Sequence, residues 1–117
     1  MIEVYGLKNC DTCRKARAWL DAKGMAHRFH DVRADGLSDK DLARWVKAEG
    51  WEKLLNRRGT TWRGLPDKDK DGVDAAKAVK LMLTHPALIK RPVFEAGGQV
   101  VVGWSAAEQK AVAALAG

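Results

Sequence analysis

The sequence predicts an α/β fold: a mixed sheet with a helical subdomain inserted between its second and third strands. Three observations carry this expectation. Strand and helix signals alternate at the start of the chain, a helix-rich stretch follows, and a hairpin with a final helix completes the pattern.

Ile2 to Tyr5 is a short apolar run read as the first strand. Asp11 to Lys23 is a helix stopped by Gly24, and His27 to Val32 is the second strand. Ser38 then caps a helix through Glu49, with Leu42, Trp45, Val46 and Glu49 at helical spacing and Gly50 at its end. Trp51 to Asn56 gives another short helical turn, and Arg57 to Thr61 reads as a polar loop. The alternating charges from Asp67 to Asp71 predict a solvated loop. Asp74 to Thr84 is helical, with Ala75, Val79, Met82 and Leu83 on one side, and it stops before Pro86. Val93 to Ala96 and Gln99 to Val102 form a hairpin around Gly97-Gly98, a pair that adopts positive φ at little steric cost. Ser105 starts a last helix to about Leu115.

This order gives a thioredoxin-like core in one domain over residues 1–117, with the helical insert at about 37–85. Arg91-Pro92 falls just before the hairpin, where that fold commonly carries a cis-proline facing its thiols. A cis bond is therefore expected from position in the fold.

Composition narrows the class. At 117 residues and 46% hydrophobic, the chain is long enough to bury its own core. Its apolar stretches are too short to cross a bilayer, and it starts with a strand-like segment rather than a signal peptide. A cytoplasmic, membrane-free monomer is expected, and the end at Gly117 leaves no added tail for a partner. The net charge of +6 does not indicate direct nucleic-acid binding, because acidic residues are interleaved and no DNA- or RNA-binding motif is present. The excess positive charge instead attracts anionic small molecules.

The chemistry centres on Cys10-Asp-Thr-Cys13 at the junction of the first strand and first helix. The three-residue spacing puts both sulfurs on one helix face, with Cys10 near the helix's positive end. That suits a reactive thiol with a neighbour able to resolve it. Zinc is set aside because His27, His30 and His85 lack the spacing of a second ligand pair. A structural disulfide closing so short a loop would stabilise little. Two small buried hydrophobes remain the plain alternative. No metal and no bound cofactor are expected.

Bringing a thiol pKa from about 8.5 to about 6.5 needs roughly 2.7 kcal/mol, whereas a helix N-terminus gives about 0.3 to 1. Asp11 should work against it. A cation is required, with Arg91 the first candidate and Arg14, one turn along the helix, the second. Thr12 either donates to the thiolate or only caps the helix.

Three segments carry a resemblance. Tyr5-Gly-Leu-Lys-Asn-Cys10-Asp-Thr-Cys13-Arg-Lys-Ala, Leu54-Leu-Asn-Arg-Arg-Gly-Thr-Thr-Trp62 and His85-Pro-Ala-Leu-Ile-Lys-Arg91-Pro92 resemble the arsenate reductase (ArsC) family, and more narrowly its Spx/YffB-type branch. The resemblance covers essentially the whole chain. It implies a glutathione- or dithiol-linked thiol oxidoreductase. Cys10 matches the nucleophilic cysteine, which in arsenate reductases attacks arsenate and is then attacked by glutathione. Arg91 matches an arginine that binds the oxyanion and stabilises the thiolate.

Arg58 lies near the position of a second anion-binding arginine, displaced because Asn56 follows the Leu-Leu pair. Gly103 and Trp104 stand where a third arginine would be expected, which removes much of what would hold arsenate. The implied anion or glutathione site draws on Arg58, Arg91, Pro92, Thr12 and Arg14. Cys13 matches the second thiol of the Spx-type disulfide switch. Implied partners are glutathione as co-substrate or a glutaredoxin-like reductant. The alternative is a redox-sensing regulator that binds RNA polymerase.

Among the other conspicuous residues, Trp19 and Trp45 are expected in the core. Trp62 and Trp104 flank the proposed site and are candidates to shape a glutathione or peptide groove. His27 and His30 are expected to serve packing or surface roles.

Overall fold

The computed structural model describes residues 1–115; Ala116 and Gly117, on which the expectation of a tail-less end falls, lie outside the described residues. β1 (Ile2–Gly6) alternates fully and half-buried side chains. It pairs in parallel with β2 (His27–Asp31) and antiparallel with β3 (Val93–Ala96), which pairs antiparallel with β4 (Gln99–Val102). The sheet order is β2-β1-β3-β4. Two parallel neighbours need a crossover, and α1 (Asp11–Ala22) supplies it. The β3–β4 hairpin turns on Gly97 at φ 55° and Gly98 at φ 82°, the positive pair that matches strand twist in a two-residue turn. Arg91-Pro92 is cis, as its position predicted. This is the thioredoxin-like mixed sheet that the element order implies.

Between β2 and β3 lie α2 (Asp39–Glu49), α3 (Trp51–Leu54), α4 (Thr60–Arg63), α5 (Asp67–Lys70) and α6 (Ala75–Thr84), and α7 (Ala106–Leu115) follows the hairpin. Strand alternation sends successive side chains to opposite faces. Ile2, Val4 and Phe94 pack with Ala16, Leu20 and Val112, beneath α1 and α7. Val93 and Val102 pack with Leu42, Trp45, Leu54 and Met82 of the insert. Ser38 Oγ caps α2 by accepting from the Lys40 N–H at 3.1 Å. The fully buried Trp45 donates its indole N–H to Glu95 at 2.8 Å, and Arg44 holds both oxygens of the same carboxylate at 3.1 and 2.9 Å. The insert is thereby fastened to β3 by packing and by charge.

Some expectations are corrected. Residues 67–70 form a helical turn rather than a loop, because Asp67 and Asp69 favour its N-terminal end while the Lys77 ammonium donates to the Lys68 and Asp71 carbonyls near its other end. The Arg57–Thr61 loop is likewise cut short by α4, which starts at Thr60. α6 buries Ala78, Leu81 and Met82, a face rotated from the one expected. Most of this helix is apolar, so its rotation is set by which residues the insert core covers, with Lys80 left exposed and Lys77 half-buried. Trp19 does pack against the core beneath α1 and α7, half-buried, with its ring edge-on to Trp104 at 5.2 Å. Among the described residues, no helix is long and apolar enough to cross a membrane.

Candidate active site

The β1–α1 loop brings Cys10 to the N-cap of α1, with extended backbone at φ −121° and ψ 120°. This end of the helix carries partial positive charge and unpaired N–H groups. Cys10 is half-buried and Cys13, one turn on, is buried; both are free thiols. The thiol of Cys13 lies flat against the end of β1: a Cβ at Gly6 would overlap Cys13 Sγ. A residue without a side chain is what leaves room for the second sulfur.

The two thiols ionise very differently. Burial opposes a charge on Cys10, but the N–H and thiol of Cys13, and then the Arg91 guanidinium, outweigh it and hold its pKa below the ordinary thiol value. Burial above all pushes Cys13 up to about 12, with the Cys10 charge adding to it against the Leu7 backbone. At neutral pH Cys13 is therefore a protonated donor to its neighbour. Cys10 itself makes no capping hydrogen bond of ordinary geometry, so these groups act on it as nearby donors rather than as a formed cap. Arg91 is half-buried; its Nη1–H donates to the Ala87 carbonyl at 2.7 Å, and its buried Nε–H has no hydrogen-bond partner among the described residues.

The other expected site residues are placed as follows. Arg14 is exposed and ion-paired with Asp11, and neither is among the groups that chiefly set the Cys10 pKa. Thr12 is half-buried and its hydroxyl makes no hydrogen bond among the described residues; the N–H favouring the thiolate is that of Cys13. Pro92 is buried, and its carbonyl accepts from the Gly103 N–H at 3.0 Å. Arg58 is exposed and lines a separate cavity of about 390 Å³ with Arg57 and Lys90. A local turn, in which the Asn56 carboxamide accepts the Arg58 N–H at 3.0 Å, sets the backbone there. Trp104 packs against Trp19 and Phe94 on the α1–α7 side of the sheet, and Trp62 packs on the insert core near Arg57. Neither lines the cleft beside Cys10.

That cleft, of about 500 Å³, is lined by Lys8, Asn9, Asp31, Arg33, Thr60 and Arg91 among others. Lys8, Asp31 and Arg33 were not legible as site residues. The one local signal was an acid ending a strand, next to a loop that could use it. Asp31 keeps only 7% of its surface exposed, covered by the loops it holds rather than by the deep core. It accepts from the N–H groups of Lys8, Arg33 and Ala34, each at 2.9 Å, and so joins the β1–α1 loop to the loop after β2.

The Ala34 N–H first, then those of Lys8 and Arg33, hold the Asp31 carboxyl below its ordinary value against a burial cost. Such a group stabilises the fold above its unfolded pKa of about 3.9 and ceases to as pH falls through its lower folded value. Asp31→Ala is expected to cost about 2 kcal/mol at neutral pH, since it strands backbone donors. The gap in urea midpoints from wild type, measured from about pH 6 down to about pH 2.5, should narrow at the acid end, where the charge part of the contribution is lost. A constant gap at all pH values would contradict the charge assignment.

Residues 5–112 match the model of the ArsC family. Among solved structures, a YFFB protein superposes with a TM-score of 0.90 at 46% identity, covering 99% of this chain and 100% of that one. An arsenate reductase (ArsC) related protein from Brucella melitensis superposes with a TM-score of 0.77 at 47% identity, covering 94% of this chain and 92% of that one. The global transcriptional regulator Spx from Streptococcus mutans is 26% identical over 113 residues, 95% of this chain and 82% of that protein.

Proposed function

Because the chain belongs to the ArsC family, we propose that it is a thiol–disulfide oxidoreductase with Cys10 as nucleophile and Cys13 as resolving thiol. The observation that carries this is the split between the two thiols: Cys10 is held towards thiolate while Cys13 is held protonated beside it. The Cys10 thiolate attacks one sulfur of a disulfide. That S–S bond breaks, the far half leaves as a thiolate with the bonding electron pair, and Cys10 carries a mixed disulfide. Cys10 has then lost its charge, which removes one of the causes that hold Cys13 protonated. Cys13 gives its proton to solvent, attacks the Cys10 sulfur, and releases the second thiolate as an internal disulfide forms. Glutathione attacking Cys10 from outside is the other route to the same release, and a glutathione or glutaredoxin-like reductant then restores the dithiol.

Arsenate is not the substrate in this reading. Gly103, where a third arginine would be sought, has φ 107°, and a Cβ there would meet Glu108 Oε1 at 2.9 Å. Arg58 lines a cavity other than the one beside Cys10.

Intact mass after treatment with oxidised glutathione tests the scheme. Wild type is expected to reach the internal disulfide, Cys13→Ser to stop at a single glutathione adduct, and Cys10→Ser to remain unmodified, with no arsenite formed from arsenate by any of them. Unmodified wild-type thiols in folded protein at neutral pH would end the catalytic reading.

The similarity to Spx over 95% of this chain favours one second reading, a redox-sensing regulator that binds RNA polymerase. Stable, thiol-sensitive capture of RNA polymerase by the immobilised protein would make that reading the better one.

A further inference from the structure

We infer that Asp31 is a positioning residue for the resolving step: by holding the Lys8 N–H it fixes the strand end on which the Cys13 sulfur rests, and so sets how fast Cys13 closes on Cys10. The inference rests on the disulfide-exchange reading, with Cys13 as the resolving thiol. In that step the Cys13 thiol loses its proton to solvent and attacks the Cys10 sulfur of the mixed disulfide. A Cys10–Cys13 bond forms, the bond to glutathione breaks, and glutathione leaves as a thiolate with the electron pair.

Cys13 lies against the last residues of β1. Its sulfur fills the space that a Gly6 side chain would take, and the Leu7 backbone is the first of the groups that favour its ionised form against burial. The position of the Leu7 N–H therefore bears on the step in which Cys13 gives up its proton. Two hydrogen bonds hold this stretch, one on each side of Leu7. The Gly6 carbonyl accepts from the Val32 N–H at 2.9 Å, which fixes the planar peptide that also carries the Leu7 N–H. The next peptide is fixed by its Lys8 N–H, which donates to Asp31 Oδ2 at 2.9 Å. Among the described residues this is the one hydrogen bond from residues 7–9 to β2, the insert or the hairpin.

The carboxylate is itself held in that direction. Its Oδ1 accepts from the Arg33 and Ala34 N–H groups of the following turn, each at 2.9 Å, which leaves Oδ2 facing Lys8. Asp31 is buried, so water has little access to compete for the bond. Its charge is not among the groups that chiefly set the pKa of either thiol, so its influence on the sulfurs runs through the backbone. Without the Lys8 bond, β1 would end on the Gly6 carbonyl alone, and a strand end held by one bond opens readily.

Asp31→Asn separates the two halves of this arrangement. The carboxamide oxygen keeps both donors of the turn, and its NH2 then faces the Lys8 N–H, donor against donor. The test measures, in wild type and variant, the rate of mixed-disulfide formation with oxidised glutathione and the rate of the closure that follows. The ratio of closure to first attack is expected to fall about tenfold in Asp31→Asn, since slight misplacement of reacting groups costs at least that much. A merely less stable fold would leave this ratio unchanged in folded protein. A ratio equal in the two proteins overturns the inference. Asp31→Ser, whose hydroxyl still accepts from the turn but is too short to reach Lys8, takes the place of Asp31→Asn if that variant does not fold. If wild-type Cys10 does not react with oxidised glutathione, or takes up glutathione without closing, it is the exchange reading that fails. Diamide then serves as oxidant, taking two electrons and two protons from the thiol pair as the Cys10–Cys13 bond forms. Slower formation of that bond in the variant sustains the positioning role; an equal rate, or no bond in wild type, overturns it.

Discussion

Arg91→Ala is expected to move the alkylation midpoint of Cys10 up towards the ordinary thiol range and to slow its attack on disulfides at neutral pH by about tenfold or more. Of the groups acting on the Cys10 sulfur, Arg91 alone carries a full positive charge, the Cys13 N–H and thiol being neutral donors that remain in the variant. A guanidinium about 4 Å from a charge at an effective dielectric of about 20 gives on the order of 4 kcal/mol, more than a helix end supplies. Some of that is screened by solvent because Arg91 is half-buried, hence the smaller expected effect.

The sign for stability follows from linkage. A thiol whose folded pKa is depressed stabilises the fold above its unfolded value of about 8.5, and this contribution is lost as pH falls through the folded value. Cys13 behaves oppositely. With its pKa pushed up to about 12, it favours the fold below about 8.5 and loses that contribution as pH rises towards 12. Reduced wild type should therefore gain stability up to about pH 8.5 and lose it beyond. Arg91→Ala should flatten the first limb but not the second, because Arg91 works against the rise of the Cys13 pKa and its loss leaves that rise in place. An alkylation midpoint unchanged in the variant would remove Arg91 from the activation scheme.

Gly6→Ala is expected to destabilise the reduced protein by about 2 kcal/mol and to suppress the internal disulfide. Replacing a strand glycine by alanine ordinarily helps a little, by restricting the unfolded chain. Here the added methyl would occupy the space of Cys13 Sγ, while Cys13 Cβ and Phe29 Cε1, each at 3.5 Å, would be ordinary contacts. The clash is thus with one sulfur atom. Combining Gly6→Ala with Cys13→Ala should bring stability back to within about 1 kcal/mol of Cys13→Ala alone, a coupling of the size seen for touching residues. Chemical denaturation of the four proteins measures it. With Gly6→Ala alone, oxidised glutathione should leave the mixed disulfide on Cys10, because Cys13 is displaced from its place beside it. Full stability together with normal closure of the Cys10–Cys13 bond would show that β1 yields, and that Gly6 is not the reason the pair fits.

The features legible in the sequence are those set by neighbours along the chain. The cysteine pair, the cap at Ser38, the Gly97-Gly98 turn and the strand–helix–strand opening each depend on a few consecutive residues, and the structure has them where they were expected. Arg91 was legible through the position of Pro92 in an already inferred fold and through the family resemblance, not through its own surroundings in the chain. What depends on two elements meeting was not legible. The rotation of α6 was decided by which residues the insert core could cover. Arg58, two residues beyond the expected position, stands in another cavity, and a turn at Asn56 sets the backbone there.

Lys8, Asp31 and Arg33 look like ordinary surface charges in the chain. They become one wall because β1 and β2 run parallel in register, so that both strands end on the same side and Asp31 can accept the Lys8 N–H. Local sequence determined that a cysteine stands at a helix end. The tertiary structure alone decided which charges surround it, because electrostatic fields depend on distance in space and the sheet register sets that distance.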